Sequence, residues 1–195
     1  MSSVQQSHLN KSKKDKFVLV LTLPPLMQKL NTTEQRNNKK IQLNSLQFSV
    51  YGSIVPRIQV PAVEARYSGS TIHISSHSHP TYAPITINFT IDNRFNNYWV
   101  IYTWLNALRD QNEGVYGIVD AANTFDKSVN LNDYSTDMTI YGKDEMNTDI
   151  ISWTYKRAFP IALSEINYNY KDSGEIEASC EFAFHEVIVN LLETN

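Results

Sequence analysis

The chain has a single cysteine, Cys180, among 195 residues, so no intrachain disulfide framework can staple it. Six glycines leave no glycine-rich loop of the kind that cradles a phosphate. Charged residues make up only 19% of the chain, and Asn, Ser and Thr take their place. A net charge of −3 and an isoelectric point near 5.9 give no global attraction to nucleic acid or to an acidic membrane. No apolar run is long enough to cross a bilayer. FVLVLTLPPLM, from Phe17 to Met27, is too short and is broken by Pro24 and Pro25, so it reads as a buried strand. The N-terminus lacks the pattern of charges, an apolar h-region and a small-residue cleavage site. The sequons at Asn31 and Asn88 therefore carry no weight, and the expected setting is the cytosol or an assembled particle. The basic run NKSKKDK, Asn10 to Lys16, lies in a polar tail and reads as a solvated terminus.

What the chain does have is alternation. Its 42% hydrophobic residues, 11% of the chain being aromatic, can supply one sizeable core, and the length fits one domain. Leu46, Phe48 and Val50 alternate with Gln47, Ser49 and Tyr51, and Ile72 and Ile74 with Thr71, His73 and Ser75. In ITINFTID, Ile85, Ile87, Phe89 and Ile91 face one way and Thr86, Asn88, Thr90 and Asp92 the other. This period of two predicts half-buried strands. Pro80 and Pro84 bracket the loop before that strand. One segment changes period: over Asn93–Asp110 the apolar residues Phe95, Tyr98, Trp99, Tyr102, Leu105 and Leu108 recur every three or four positions. That spacing predicts an amphipathic helix with Asp92 as its N-cap, packed on the core through Phe95, Trp99, Tyr102 and Leu105. A polar stretch follows, Gln111–Asp137. Two hairpins are then expected. Met138–Tyr141 should pair with Ile150–Phe159 across GKDEMNTD, and Ser164–Tyr170 with Glu175–Phe184 across KDSG. In the last strand Ile176, Ala178, Cys180, Phe182 and Phe184 oppose Glu175, Glu177, Ser179 and Glu181, so one wall is apolar and the other acidic. The expected fold is mainly β: an antiparallel sandwich or barrel with one flanking α-helix. Residues 1–40 form an N-terminal arm with the first strand, and residues 41–195 the β domain.

Catalytic constellations are thin. His73, His77 and His79 in HISSHSH lack a thiol or a fourth ligand, and the segment reads better as a polar turn than as a metal site. Glu175, Glu177 and Glu181 have same-face spacing near that of a glycosidase carboxylate pair, but no basic clamp or Trp-rich loop accompanies them. Cys180 falls on the apolar face as a buried thiol, with His185 on the other face. Trp153 and Tyr155 have the spacing of a sugar-binding platform, but core packing explains them as well. The chain is read as a non-enzyme, with no catalytic residue, metal or cofactor.

The order of the pieces carries a resemblance. IVPRIQVPAVEARYSGSTIHI (Ile54–Ile74) is a proline-marked loop running to a glycine and a strand. PITINFTIDNRFNNYWVIYTWLNAL (Pro84–Leu108) is a strand feeding a flanking helix. ISWTYKRAFPIALSEINYNYKDSGEIEASCEFAFHEV (Ile151–Val187) has an aromatic-Pro step, a polar bend and a terminal hairpin. Over roughly 120 residues this order resembles the tail tube proteins of contractile-tailed bacteriophages, whose fold is shared with type VI secretion tube proteins and baseplate tube initiators. The N-terminal arm and the Gln111–Asp137 stretch are longer than that pattern.

The resemblance implies a structural virion protein of the tail, assembled in the host cytoplasm. It implies stacked hexameric rings with a hollow bore that conducts DNA during ejection. The partners would be further copies of the chain, the sheath and the baseplate, with DNA only in transit and no membrane. Candidate bore-lining residues are Thr86, Asn88 and Thr90 on one strand, or Glu175, Glu177, Ser179 and Glu181 on another. Candidate ring-to-ring contacts lie in Gly52–Tyr67, namely Arg57, Ile58, Val60, Glu64 and Arg66. The same segment also reads as a surface loop tucked against its own subunit. A tube initiator or tail-completion protein of the same fold is the alternative, and a monomeric carbohydrate-binding sandwich a more distant one.

Overall fold

In a computed structural model of the chain, the described residues are 11–28, 50–53, 55–108, 131–171 and 173–192. The strands are β1 (Phe17–Leu21), β2 (Val50–Ser53), β3 (Ala62–Tyr67), β4 (Ser70–Ser75) and β5 (Ile85–Thr90). Helix α1 (Asn96–Leu108) and the short α2 (Leu131–Tyr134) follow. The remaining strands are β6 (Thr136–Lys143), β7 (Asp149–Leu163), β8 (Glu177–Ala183) and β9 (Glu186–Leu191). All strand pairs are antiparallel. The expected strand at Leu46 and Phe48 and most of Gln111–Asp137 lie outside the described residues.

The 15-residue β7 belongs to two layers. Its first part pairs with β6 on one side and β9 on the other, and β1 extends that layer from β6. Its last part, Phe159–Leu163, pairs with β8, which leads on to β5 and β2. β8 and β9 meet β7 in one register, since Phe159 faces Ala183 and Lys156 faces Glu186, and His185 N–H donates to the Lys156 carbonyl between them. Two paired strands thus turn the corner together, which folds one ribbon into a two-layer sandwich. At the corner Arg157 takes a left-handed backbone (φ 56°), unusual for a residue with a Cβ. Asp137 holds it there: its carboxylate accepts the Arg157 N–H and the Lys156 ammonium. Pro160 sits beside a register shift, where a missing donor is tolerated.

The core lies between the layers. Ile85, Ile87 and Phe89 from β5 and Ala178, Cys180 and Phe182 from β8 face Leu19, Leu21, Met138, Ile140 and Tyr155. The expected alternation of β5 and β8 is therefore present, and the β6–β7 hairpin forms across its acidic turn. Asp144 Oδ1 accepts the N–H groups of Met146 and Thr148, each at 2.8 Å. Segment Phe17–Leu21 is half buried: Leu19 and Leu21 point in, Val18 and Val20 out.

Two expectations are corrected. Residues 164–169 form no strand, and β8 takes Phe159–Leu163 as its partner in place of Ser164–Tyr170. Ser164 ends the ladder, because its hydroxyl accepts the Ser179 N–H at 2.8 Å while its own N–H donates to the Ser179 carbonyl. Beyond it Tyr168 and Tyr170 stand in solvent. The second correction is the helix face. α1 buries Asn97, Val100, Ile101 and Trp104, not the stripe of Phe95, Trp99 and Tyr102. Tyr102 is 40% exposed and Trp104 0%. Leu105 is half buried at the margin of the core. Both stripes have helical spacing, and Asn97 decides between them. Its side-chain amide donates to the Thr90 carbonyl at 2.7 Å and its Oδ1 accepts the Asp92 N–H, tying the end of β5 to the first turn of the helix. The helix begins at Asn96 and not at the expected Asn93, so Phe95 holds the N-cap position. Asp92, three residues ahead of it, accepts the Asn96 N–H through its Oδ1 at 2.8 Å. The Trp104 ring meets Phe182 edge-on at 5.9 Å, and its indole N–H donates to the Tyr134 carbonyl, pinning α2 in place.

Two outcomes check this packing. Trp104→Ala should cost about 3–5 kcal/mol in urea unfolding of the dispersed subunit, while Tyr102→Ala should cost well under about 1 kcal/mol; equal losses would return the aromatic stripe to the core. At Asp137, burial raises the carboxyl, but the Lys156 ammonium and the Arg157 N–H outweigh it, so its pKa lies below the usual 3.8. A depressed folded pKa adds stability above the unfolded value, and that contribution disappears as pH falls through the folded one. Asp137→Asn should therefore lower stability at neutral pH and flatten the acid limb of the stability–pH curve.

Candidate functional site

Three surfaces remain once the core is closed. The first is the outward face of the β2–β5–β8 layer. The register sets Thr86 beside Glu181, Asn88 beside Ser179 and Thr90 beside Glu177. The two candidate bore-lining sets thus form one continuous polar face, which the sequence had left as alternatives. Tyr51 on β2 joins it, its hydroxyl donating to Glu177 Oε2 at 2.9 Å. Burial, then that hydrogen bond, raises the Tyr51 hydroxyl above its ordinary value. Glu175 lies just outside the strand, exposed. The helix packs on the opposite, apolar side of this layer, through Trp104 on Phe182. No Lys or Arg is among Tyr51, Thr86, Asn88, Thr90, Glu175, Glu177, Ser179 and Glu181, so the face is neutral to acidic.

The second surface is the β3–β4 hairpin with the coil before it. Arg57, Ile58, Val60, Glu64 and Arg66 are all exposed. Ser68 and Gly69 both have positive φ (49° and 82°), the backbone of a tight two-residue turn. Glu64 and Arg66 share one face with His73 and Thr71. The other face was missed as a candidate surface: Val63 lies beside Ile74 and Ala65 beside Ile72, with Val63, Ile72 and Ile74 all exposed. The signal was in the sequence, in a Ser-Gly turn flanked by alternating residues. A two-stranded hairpin is marginal in water without a packing partner. His77 sits in the following loop with a left-handed backbone (φ 53°), and the Ser76 and Ser78 hydroxyls bond across it, so HISSHSH ends in a turn.

The third surface is made of strand edges. Among the described residues β1 and β2 end the strand path and pair on one side only, and β9 pairs only with β7. Open edges of this kind accept further strands.

The remaining chemical candidates are absorbed by the fold. Cys180 is buried, and burial first, then the nearby Glu181 carboxylate, pushes its thiol far above the ordinary value. Tyr155 is wholly buried and Trp153 half buried against the core, so they offer no exposed sugar platform. Among the described residues no three His, Cys, Asp or Glu side chains are grouped to hold a metal ion, and no helix is long and apolar enough to cross a membrane.

Comparison with known proteins matches this architecture. Among solved structures, a chain of the sheath–tube complex of an extracellular contractile injection system (PVC, extended state) superposes with a TM-score of 0.60 at 13% identity, covering 98% of this chain and 99% of that one. A chain of the anti-feeding prophage cap, described as a tube-terminating cap, gives 0.60 at 13% identity, covering 98% and 100%. A chain of the PVC sheath/tube terminator gives 0.59 at 13% identity, covering 94% and 99%. At such identities the likeness is one of fold. A comparison with curated protein sequences gives no significant match. The family model described as phage tail tube protein matches residues 12–190, nearly the whole chain. The chain therefore belongs to the phage tail tube protein family, a family of structural proteins and not of enzymes.

Proposed function

We propose that this chain is the repeating subunit of a tail tube, forming hexameric rings that stack into a hollow conduit for DNA. The observation that carries the reading is the continuous face of Thr86, Asn88, Thr90, Glu177, Ser179 and Glu181, free of Lys and Arg and turned away from the helix. Each phosphate neutralised by a cation releases counterions and strengthens binding, so a basic bore grips a duplex and a neutral-to-acidic one lets it slide. The open edges of β1, β2 and β9 support closure by neighbouring copies, since a closed barrel removes edges altogether. The hairpin and the coil before it, with Arg57, Ile58, Val60, Glu64 and Arg66, would join ring to ring, and the exposed Val63, Ile72 and Ile74 would supply the apolar part of that contact. A sheath around the tube and a baseplate below it are the further partners, and the virion tail is the place of action.

The fold likeness to a chain of a tube-terminating cap supports a second reading, an initiator or completion protein with one unlike end. Negative-stain microscopy of the purified protein separates them. Long hollow tubes are expected for the tube subunit, isolated rings would favour the second reading, and monomers at high concentration would overturn both.

Two further outcomes are expected. Arg57→Glu or Arg66→Glu should leave a folded subunit, by circular dichroism, that no longer stacks; tubes of wild-type length would remove these residues from the contact. Tubes carrying Glu177→Lys and Glu181→Lys should retain labelled duplex DNA and release it with rising salt, while wild-type tubes retain none. Equal release from both would show that this face does not line the bore.

A further inference from the structure

A cleft of about 840 Å³ opens between β2 and the turn end of the β1–β6–β7 layer. Its floor is apolar, formed by Phe17, Ile140, Ile151 and Trp153, with Met146 at the rim. Gly142 keeps the floor low: a Cβ there would meet Ile151 Cγ2 at 2.8 Å and the Trp153 ring at 3.1 Å. The rim is basic. Lys11, Lys13, Lys14, Lys16 and Lys143 line it against two carboxylates, Asp144 and Glu145. Lys13 pairs with Glu145 at 3.6 Å and Lys143 with Asp149 at 2.9 Å. Among the described residues no ion pair engages Lys11, Lys14 or Lys16. Residues 11–16, exposed for the most part, thus border an apolar trough.

The same chain carries a segment of opposite character. Between β7 and β8, residues 164–176 hold Glu165, Asp172 and Glu175 against one lysine, Lys171. Tyr168 is 70% exposed and Tyr170 fully so. Tyrosine offers a large ring at small entropic cost and is enriched where surfaces meet. The cleft lies at the start of β7, beside Ile150 and Ile151, and the tyrosine segment begins where β7 ends, after Leu163.

We propose that the Tyr168–Tyr170 segment of one copy docks in the lysine-rimmed cleft of the next, with its rings on the apolar floor and Glu165 and Glu175 facing the lysines. This rests on the tube reading and names a contact within it. Two different patches that complement each other make a heterologous interface, which closes into a ring or repeats along an axis. The β3–β4 hairpin is the competing occupant, but its Glu64 and Arg66 balance each other, so it lacks the charge that the rim calls for.

The test mixes two full-length variants, Tyr170→Cys and Met146→Cys, under assembly conditions and adds a short bis-maleimide. Cys180 is buried and stays unreactive. The expected result is a cross-linked dimer in the mixture and in neither variant alone. Tubes that form without that dimer, or that cross-link Tyr67→Cys to Met146→Cys instead, would overturn the docking and leave the tube reading standing. Failure of the wild-type protein to assemble at all would remove both. As a second measurement, Tyr168→Ala with Tyr170→Ala should raise the concentration needed for assembly about tenfold or more, with circular dichroism unchanged; an unchanged threshold would also overturn the docking.

Discussion

One strand has to serve two sheets, and the molecule is organised around the point where it changes from one to the other. β7 is 15 residues long, and at Arg157 its backbone enters a conformation that residues with a Cβ seldom adopt. Such strain persists only where the surroundings over-determine it. Here Asp137 from the adjacent strand accepts the Arg157 N–H and the Lys156 ammonium together, while the β8–β9 run bends at the same level without losing register. The apolar faces of both layers meet across this corner, and helix α1 seals one side with Val100, Ile101 and Trp104.

A subunit built this way closes an apolar core and leaves its exterior incomplete. Among the described residues the hairpin carries exposed apolar side chains, β1, β2 and β9 pair on one side only, and a trough with an apolar floor lies at the turn end of one layer. In a solitary protein each of these would be an aggregation hazard. On the proposed reading they are surfaces for further copies of the chain. The acidic-to-neutral sheet face differs in kind: with no cation on it, it avoids holding a polyanion, which suits the wall of a passage.

The strands were legible where one periodicity admitted one reading. Ile85, Ile87 and Phe89 had a single way to face a core, and the structure buries those three. The terminal pairing was not legible, because the Ile166–Tyr168–Tyr170 alternation imitates a strand. A hydroxyl at Ser164, bonding back to Ser179, ends the ladder before it. The helix carried two stripes of equal spacing. Counting aromatics favoured Phe95, Trp99 and Tyr102, whereas a polar residue, Asn97, selected the other by bonding to the strand that precedes the helix.

The amino-acid sequence by itself determined the class of the protein: an all-antiparallel β fold with a flanking helix, a buried thiol and a strand with one carboxylate wall, because side-chain period and composition are local properties. Only the tertiary structure decided which strands are neighbours, that Thr86, Asn88 and Thr90 share their face with Glu177, Ser179 and Glu181, and which side of the helix is dry. Those outcomes depend on contacts between residues far apart in the chain, where hydrogen-bond register and the bend of one shared strand outweigh any local preference.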